Sequence, residues 1–341
     1  MAITYVTHPR LGPILRSMKT SANLPTTLAE AIVYFADADR AHAFMIEMRW
    51  PAGVKCPRCA SEKTPSFLTS RRIWKCAGCR QQFSVKVGTV FEHSPLGLDK
   101  WLPALWTLAN CQNGISSYEL ARTLGVTQKT AWFMLGRIRE AMQTKNFIKS
   151  TGTVEIDEAF IGGLAQNMHR AKRERVMQGA KAGARGKVSV IAGVKRDSDG
   201  EKSQVHAYVM RSTNARPHGK VARDMMEPGR KVSTDTATLY QGALAGFERE
   251  MVNHSAKEYV RGDVHTNGVE NFWSPLKRAL KGTYISVDPF HLFCYVEEQT
   301  FPFNVRGLTE PNRFTTAARR VIGPRLTYAA LTGADLKVAT T

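Results

Sequence analysis

Two Cys-x2-Cys pairs are the feature that most constrains how this chain can fold. Cys56 and Cys59 form the first pair, Cys76 and Cys79 form the second, and sixteen residues separate the pairs. This spacing is typical of a site in which four thiolates bind one Zn²⁺ ion and leave no open position for water, so the zinc would be structural. Two disulfides are the alternative, which the lack of an export signal disfavours. Short β-rich stretches between and after the pairs predict a zinc ribbon.

The chain is strongly basic. Among its 341 residues, 48 Lys and Arg stand against 29 Asp and Glu, which gives a net charge of +19. This excess favours a polyanionic partner, with nucleic acid as the first candidate and a solvated basic surface as the alternative. No apolar run is long enough to span a membrane, and the N-terminus has no apolar signal region. We therefore expect no membrane partner and a cytoplasmic, nucleoid-associated protein.

A helix-turn-helix pattern follows the cysteines. Residues 115–124 have helical spacing, Gly125 opens a short turn, and a second helix extends to Met142 with Thr127 as its N-cap. An ordinary helical hairpin is the alternative, and the basic charge favours DNA binding. The predicted DNA contacts of the second helix, by side-chain type, are Gln128, Lys129, Thr130 and Arg137.

A strand with carboxylates on one face comes next. Apolar residues occupy one parity, whereas Glu155 and Asp157 share the other. A carboxylate in an otherwise buried strand is costly unless a metal ion or a basic side chain compensates for it. Asp157 can instead pair with an arginine, which would leave metal binding to Glu155 or Glu158. A three-stranded meander is predicted from the β-rich segments 153–163, 187–194 and 203–210.

Two further carboxylates lie in later elements. Asp235 ends a short strand at residues 231–235 and precedes a helix predicted over residues 236–247, which it can cap instead. Glu270 lies on a later amphipathic helix and shares one face with two lysines, although it can also complete a capping box with Asn267.

Taken together, these features resemble the DDE transposases of bacterial insertion sequences, of the type with an N-terminal zinc ribbon. The resemblance covers roughly residues 28–307. Its motifs are CPRC with CAGC, GISSYELARTLGVTQKTAWFMLGRIREAM, VEIDEAFIGG, STDTATLY, NHSAKEYV and HTNGVENFWSPLKRALKGTY.

The resemblance implies an α/β fold class. An RNase H-like catalytic core, a mixed sheet with flanking helices, would follow a zinc ribbon and a helical helix-turn-helix region. The expected domains are an N-terminal helical segment, a zinc ribbon, a helix-turn-helix region, a DDE catalytic domain and a C-terminal tail, at residues 1–50, 51–92, 93–147, 150–307 and 308–341 respectively.

The resemblance also implies a reaction and its metal ions. Asp157, Asp235 and Glu270 match the acidic triad of the family, which holds Mg²⁺ or Mn²⁺. The implied activity is cleavage at terminal inverted repeats and strand transfer into target DNA, carried out by a homo-oligomer on DNA. His265, which precedes the Glu270 helix, is a candidate auxiliary residue.

Further basic side chains are expected to contact DNA. Residues 166–187 carry seven Lys or Arg against one Glu and predict a mobile basic flap, with a solvated charged face as the alternative. The contacts predicted from this flap and from the Glu270 helix are Lys172, Arg173, Arg175, Lys277 and Arg278.

Two positions depart from the family pattern. Pro275 lies inside the Glu270 helix, where an interior proline removes a hydrogen bond and can kink the helix; a helix that began there would leave Glu270 on a loop. Residues 303–306 read FNVR where FNRR is expected, which removes one expected DNA contact. Two other functions therefore stay open, namely a DNA-binding regulator with an inactive RNase H-like domain and a structure-selective nuclease.

Overall fold

The structure, a computed structural model, divides into two compact units. Unit 1 comprises Met1–Cys111, Ile115–Met142 and Leu308–Thr341, and unit 2 comprises Gln112–Gly114 and Gln143–Gly307. The residues that the structure describes are 24–143, 152–162, 170, 174, 187–197, 202–210, 215–235, 240, 242–252, 256, 260–323 and 325–334.

The elements are numbered in chain order within the described residues. The helices are α1 Leu28–Ala36, α2 Ala38–Arg49, α3 Leu98–Asn110, α4 Ser117–Leu124, α5 Gln128–Met142, α6 Ala215–Asp224, α7 Asn267–Arg278, α8 Leu292–Asn304, α9 Glu310–Arg320 and α10 Tyr328–Thr332. The strands are β1 Ser66–Leu68, β2 Ile73–Lys75, β3 Gln82–Ser84, β4 Val154–Ile161, β5 Val188–Lys195, β6 Gln204–Met210, β7 Lys231–Asp235, β8 Glu248–Val252, β9 Val260–Arg261 and β10 Val264–His265.

Unit 1 has an aromatic core that helices from its N-terminal and C-terminal segments build together. Phe314 of α9 packs on Phe35 of α1, Phe44 of α2 and Trp106 of α3, with ring centroids 5.5, 5.1 and 5.0 Å away. All four rings are at most 2% exposed, and burying one such ring contributes about 1.5–3 kcal/mol. Residues 308–341, which the sequence suggested to be only a tail, therefore supply a core helix to this unit.

The short strands predicted for the zinc ribbon are present, and they form an antiparallel sheet in the order β1-β2-β3. Trp74 of β2 pairs with Phe67 and Phe83 on its neighbours, and His42 of α2 stacks on Trp74 at 5.2 Å. The Nε2 atom of His42 is buried and has no hydrogen-bond partner among the described residues. Because burial disfavours the charged imidazolium, the pKa of His42 is lowered to about 4. His42 is thus a neutral core residue.

Unit 2 is built on a mixed five-stranded sheet in the order β6-β5-β4-β7-β8. The antiparallel pairs β4-β5 and β5-β6 confirm the predicted meander, and β7 and β8 add to it in parallel. Apolar residues of α7 and α8 cover one face of the sheet, and those of α6 help to cover the other. This is the α/β arrangement of an RNase H-like core, as the sequence predicted.

The connection between β7 and β8 differs from the predicted helix at residues 236–247. Its described part at 242–247 consists of turns, after which β8 begins. Gly242 and Gly246 have φ angles of +72° and +89°, in the left-handed region that a right-handed helix does not contain. The helical prediction is therefore wrong for this described part, since glycine freedom is used here to turn the chain.

Within the described part of the chain, no helix combines the length and apolar character needed to cross a membrane.

Candidate active site and metal centres

The four predicted zinc ligands come together in unit 1. All four sulfur atoms lie within 4.8 Å of one another, with Sγ–Sγ distances of 3.8 Å for Cys56 and Cys79 and 3.6 Å for Cys59 and Cys76. Four sulfurs at the usual Zn–S bond length would form a tetrahedron with edges of about 3.8 Å. The donor set therefore fits a structural Zn²⁺ ion.

Backbone amides favour the thiolate form of Cys76. The N–H groups of Cys79 and Gly78 point at Cys76 Sγ at 3.4 and 3.3 Å. These hydrogen bonds lower the pKa of the Cys76 thiol to about 6. Gly78 fits closely here, because a Cβ at this position would lie 2.9 Å from Ser61 Cβ.

In unit 2, Asp157 and Asp235 are brought together by the register of two parallel strands. β4 and β7 pair Ile156 with Thr234, so the next position in this register sets Asp157 beside Asp235. Neighbouring strands lie about 4.8 Å apart, and laterally paired residues face the same side of the sheet. Asp157 shares this side with Ala159, which packs against α7.

Asp157 has a direct partner on α7. The Nε1–H group of Trp273 donates a hydrogen bond to Asp157 Oδ2 at 2.9 Å. Burial raises the pKa of the Asp157 carboxyl, and repulsion from Asp235 and Glu270 raises it further, although the Trp273 hydrogen bond acts in the opposite direction. The three predicted triad members therefore interact electrostatically in one site.

Glu270 lies exposed in the first turn of α7. Because this helix begins at Asn267 and continues through Pro275, Glu270 is on a helix and not on a loop. The N-cap residue is Thr266, which makes no side-chain capping bond, so the capping box with Asn267 is not formed. The first amides of α7 find their acceptor elsewhere, in the carboxylate of Glu155.

The two alternative ligands of β4 are both engaged elsewhere. Glu155 is 1% exposed and pairs with Arg196, whose Nε lies 2.8 Å from Glu155 Oε1. Glu158 points to the other face, where it accepts a hydrogen bond from the Tyr240 hydroxyl at 2.6 Å. Burial is the main cause that raises the pKa of Glu158 to about 7. Both observations favour Asp157 as the metal-binding carboxylate of this strand.

A divalent cation fits the donor set around Asp157. Carboxylate oxygens are the ligands that Mg²⁺ and Mn²⁺ prefer. Burial and, to a smaller extent, repulsion from Asp235 and Glu270 raise the pKa of Asp157, and a bound cation would relieve both effects. The three carboxylates do not form a closed cage, since the four-cysteine cluster is the one described group of three or more metal-binding side chains whose ligand atoms all lie within 4.8 Å.

The helix-turn-helix is formed as predicted by α4, a turn at Gly125 and α5. Gly125 has φ +64° and ends α4, and the Thr130 N–H donates to Thr127 Oγ1 at 3.2 Å, which confirms the predicted N-cap. In the first turn of α5, Lys129 is exposed. The side chain of Gln128 donates to Ser117 Oγ at 2.8 Å and so links the two helices.

Arg137 does not belong to the exposed surface. Its side chain is 3% exposed and donates to the backbone oxygens of Glu92 and Leu326 at 3.1 and 3.3 Å. The guanidinium lies over the Phe133 ring at 4.7 Å. The prediction that Arg137 contacts DNA is therefore wrong, because this buried arginine connects two segments of unit 1 by hydrogen bonds.

The remaining predicted DNA contacts lie on α7 and in the predicted flap, and His265 is the predicted auxiliary residue. Lys277 and Arg278 are exposed in the last turn of α7, where they are available to a phosphate. His265 lies just before α7, with Nδ1 3.2 Å from Glu155 Oε1. The predicted flap contacts lie outside the described residues and stay predictions: Lys172, Arg173 and Arg175.

The FNVR motif has a structural role in unit 2. Asn304 bonds both the N–H and the oxygen of Val205 on β6, at 2.7 and 2.9 Å. Arg306 donates to the backbone oxygen of Ser203 at 2.6 Å. Val305 is only 7% exposed, so the position at which a DNA-contacting arginine was expected is buried in this chain.

Sequence reasoning missed three residues of this site. Trp273 has only the signal of an apolar residue on an amphipathic helix, although its place one turn after Glu270 is a usable signal. Glu155 was considered only as a rival ligand. Arg196 follows β5 without any motif of its own, and only the fold brings it beside Glu155.

The fold and the two sites define the class of protein: an RNase H-like core with clustered carboxylates, preceded by a zinc ribbon and a helix-turn-helix. Residues 149–304 match the family model of the ISXO2-like transposase domain, and residues 36–82 match that of the transposase zinc-ribbon domain. Together these matches cover more than half of the chain. The chain therefore belongs to the insertion-sequence transposases that combine these two domains.

A curated relative points the same way. An "uncharacterized protein in transposable element ISH50" of Halobacterium salinarum is 29% identical over 255 residues, which covers 72% of this chain and 84% of the relative.

Proposed function

We propose that this protein binds the terminal inverted repeats of an insertion sequence and catalyses metal-dependent cleavage and strand transfer of its ends. The observation that carries the catalytic part is the placement of Asp157 beside Asp235 on parallel strands, together with the repulsion that both Asp235 and Glu270 exert on Asp157. A protein that only binds DNA has no need to collect three carboxylates in this way.

Each side chain of the unit 2 site has its own role in the proposed reaction. Asp157, Asp235 and Glu270 hold divalent cations, which when bound stabilise the charge that develops at the attacked phosphate. Trp273 fixes the orientation of the Asp157 carboxylate through its 2.9 Å hydrogen bond. The exposed side chains of Lys277 and Arg278 hold the DNA backbone near the site.

DNA recognition is assigned to unit 1. Lys129 and Thr130 in the first turn of α5 are placed for the major groove, and the zinc ribbon adds phosphate contacts through its basic side chains. We infer that the protein acts in the cytoplasm on the nucleoid. Because two ends must be joined, at least a dimer assembles on paired ends, and sedimentation that detects only monomers on paired ends would contradict this.

A strand-transfer assay tests the proposal. Purified protein is mixed with a precleaved element end, a supercoiled target and Mg²⁺ or Mn²⁺, in parallel with Asp235→Ala. Asp224→Ala is the matched control, because Asp224 is an exposed aspartate of the same unit at the end of α6. Metal-dependent joining by the wild type and the control, but not by Asp235→Ala, is the expected result.

Two outcomes would overturn it. Cleavage without any joining would identify a structure-selective nuclease. A folded protein that binds ends and neither cuts nor joins them would identify a DNA-binding regulator.

A further inference from the structure

Glu155 is a buried carboxylate that the proposed reaction does not use. It lies two residues before Asp157 on the same face of β4, and it is 1% exposed. Arg196 donates from Nε to Glu155 Oε1 at 2.8 Å, and the N–H groups of Gly268 and Val269 donate to Oε2 at 2.6 and 3.2 Å. A buried charge with this many partners is tightly fixed, since each bond restricts where the carboxylate can lie.

Arg196 extends the connection to the other elements of the site. Its Nη2 donates to Ser233 Oγ on β7 at 3.3 Å and to the backbone oxygen of His265 at 2.9 Å, and its Nη1 donates to the backbone oxygen of Asp263. One guanidinium therefore links β4, β7 and the hairpin that leads into α7.

The places where this network touches the chain follow a regular pattern. Glu155 precedes Asp157 by two residues, Ser233 precedes Asp235 by two residues, and Gly268 precedes Glu270 by two residues. Each element that carries a carboxylate of the triad is therefore held at the point just before that carboxylate.

The start of α7 is fitted closely to Glu155. A Cβ at Gly268 would lie 2.8 Å from Glu155 Oε2, so a larger residue would force the fixed carboxylate to shift. A negative charge is also favourable at a helix N-terminus, where the first amides have no partner within the helix. Glu155 thus replaces the missing side-chain cap of α7.

We propose that Glu155 and Arg196 are positioning residues, which set the spacing of Asp157, Asp235 and Glu270 for the cations without touching cation or DNA. The proposal rests on the proposed function. It assigns the pair a role beyond stability, because the network connects the three elements that carry the triad.

The test compares Glu155→Gln with Glu298→Gln. Glu298 of α8 is an equally buried glutamate of unit 2, also 1% exposed, whose Oε1 accepts a hydrogen bond from the Tyr284 hydroxyl. The readouts are strand-transfer rate per folded molecule, Mn²⁺ affinity by electron paramagnetic resonance, and hydrogen exchange of residues 266–272.

We expect Glu155→Gln to slow strand transfer by about 10–100-fold and to weaken Mn²⁺ binding by a similar factor, the range typical of residues that orient metal ligands. Exchange at residues 266–272 should accelerate. Glu298→Gln should lower the melting temperature and leave all three readouts near wild type. Equal Mn²⁺ affinity and exchange in Glu155→Gln and wild type would overturn the proposal.

Two further variants keep the test decisive if Glu155→Gln fails to fold. Gly268→Ala crowds Glu155 without removing a charge, and Arg196→Lys keeps the charge but not the fork of donors. Either should weaken Mn²⁺ binding in a folded protein, and wild-type Mn²⁺ affinity in both would contradict the proposal. A wild type that joins no ends would instead refute the proposed function, while Mn²⁺ affinity would still decide the role of Glu155.

Discussion

The cysteine cluster of unit 1 and the carboxylate site of unit 2 differ in how closely their metal-binding atoms approach one another. The four thiols already lie within 4.8 Å of one another, at distances that fit one zinc ion. The carboxylates of Asp157, Asp235 and Glu270 do not meet this closely, and protein groups, not each other, hold the elements that carry them.

The difference follows from what each metal must do. A structural zinc ion is part of the fold, so its ligands enclose it completely. A catalytic cation has to accept oxygens of the substrate as well, so the protein supplies only some of its ligands. Residues that do not touch the cation must then orient those ligands. Under the proposals made above, the amides around Cys76 support the zinc ligands and the network around Glu155 supports the triad.

The largest effect is expected when the closed site is broken. Cys76→Ser should abolish zinc binding, with a loss on the order of 10 kcal/mol of folding free energy, and end binding should disappear with it. Zinc content by atomic absorption and end binding by gel shift measure this. Cys111→Ser is the control, since this thiol lies outside the cluster. Normal zinc content and end binding in Cys76→Ser would contradict the assignment.

Breaking the open site should affect chemistry and not folding. Asp157→Asn should slow strand transfer at least about 10³-fold, the loss expected when several kcal/mol of transition-state stabilisation disappears. End binding should stay at the wild-type level. Glu158→Gln, one residue away on the other face, should leave the rate close to wild type; an equal loss in both variants would mean that β4 was disturbed as a whole.

A smaller effect concerns the protonation of His42, which stacks on the zinc ribbon, and its influence on stability. The pKa of His42 is lowered to about 4, so the unfolded chain binds the proton more readily between pH 4 and 6.5 and stability falls as the pH falls through this window. From pH 7 to pH 5 this group should remove about 2 kcal/mol from the free energy of unfolding. Urea unfolding at both pH values checks this, and the free energy of unfolding of His42→Phe should fall less than that of the wild type. An equal fall in both proteins would mean that a group other than His42 takes up the proton.

The smallest effect should come from the exposed recognition helix. Lys129→Ala should weaken end binding a few-fold and reduce the salt slope of binding by about one ion, as removal of a single phosphate contact predicts. Arg137→Ala should instead lower stability, because its buried guanidinium bonds Glu92 and Leu326. A reduced salt slope in folded Arg137→Ala would restore that arginine to the DNA surface.

Local signals in the sequence predicted much of this molecule. Four predicted features each depend on a few neighbouring residues, and the structure confirms them. They are the cysteine pairs, the Thr127 cap, strand β4 and the strand at residues 231–235. The three-stranded meander of β4, β5 and β6 and the α/β class followed from them together with the family resemblance.

Properties that depend on distant residues could not be predicted. Nothing near Arg137 indicates that Glu92 and Leu326 will accept its hydrogen bonds, and nothing near Arg196 indicates Glu155. The helix expected after Asp235 was wrong for residues 242–247, because Gly242 and Gly246 turn the chain there. Pairings across the chain are set by the tertiary fold, which short patterns do not encode.

The aromatic core of unit 1 also has a consequence for synthesis on the ribosome. Phe314 of α9 completes a core whose other rings belong to α1, α2 and α3, and the whole of unit 2 is translated in between. A nascent chain therefore carries an open aromatic cleft until translation has passed α9. A message that stops early inside unit 2 would yield zinc-bearing fragments without a closed core. We expect such fragments to be degraded, so they would not compete with the full protein for the element ends.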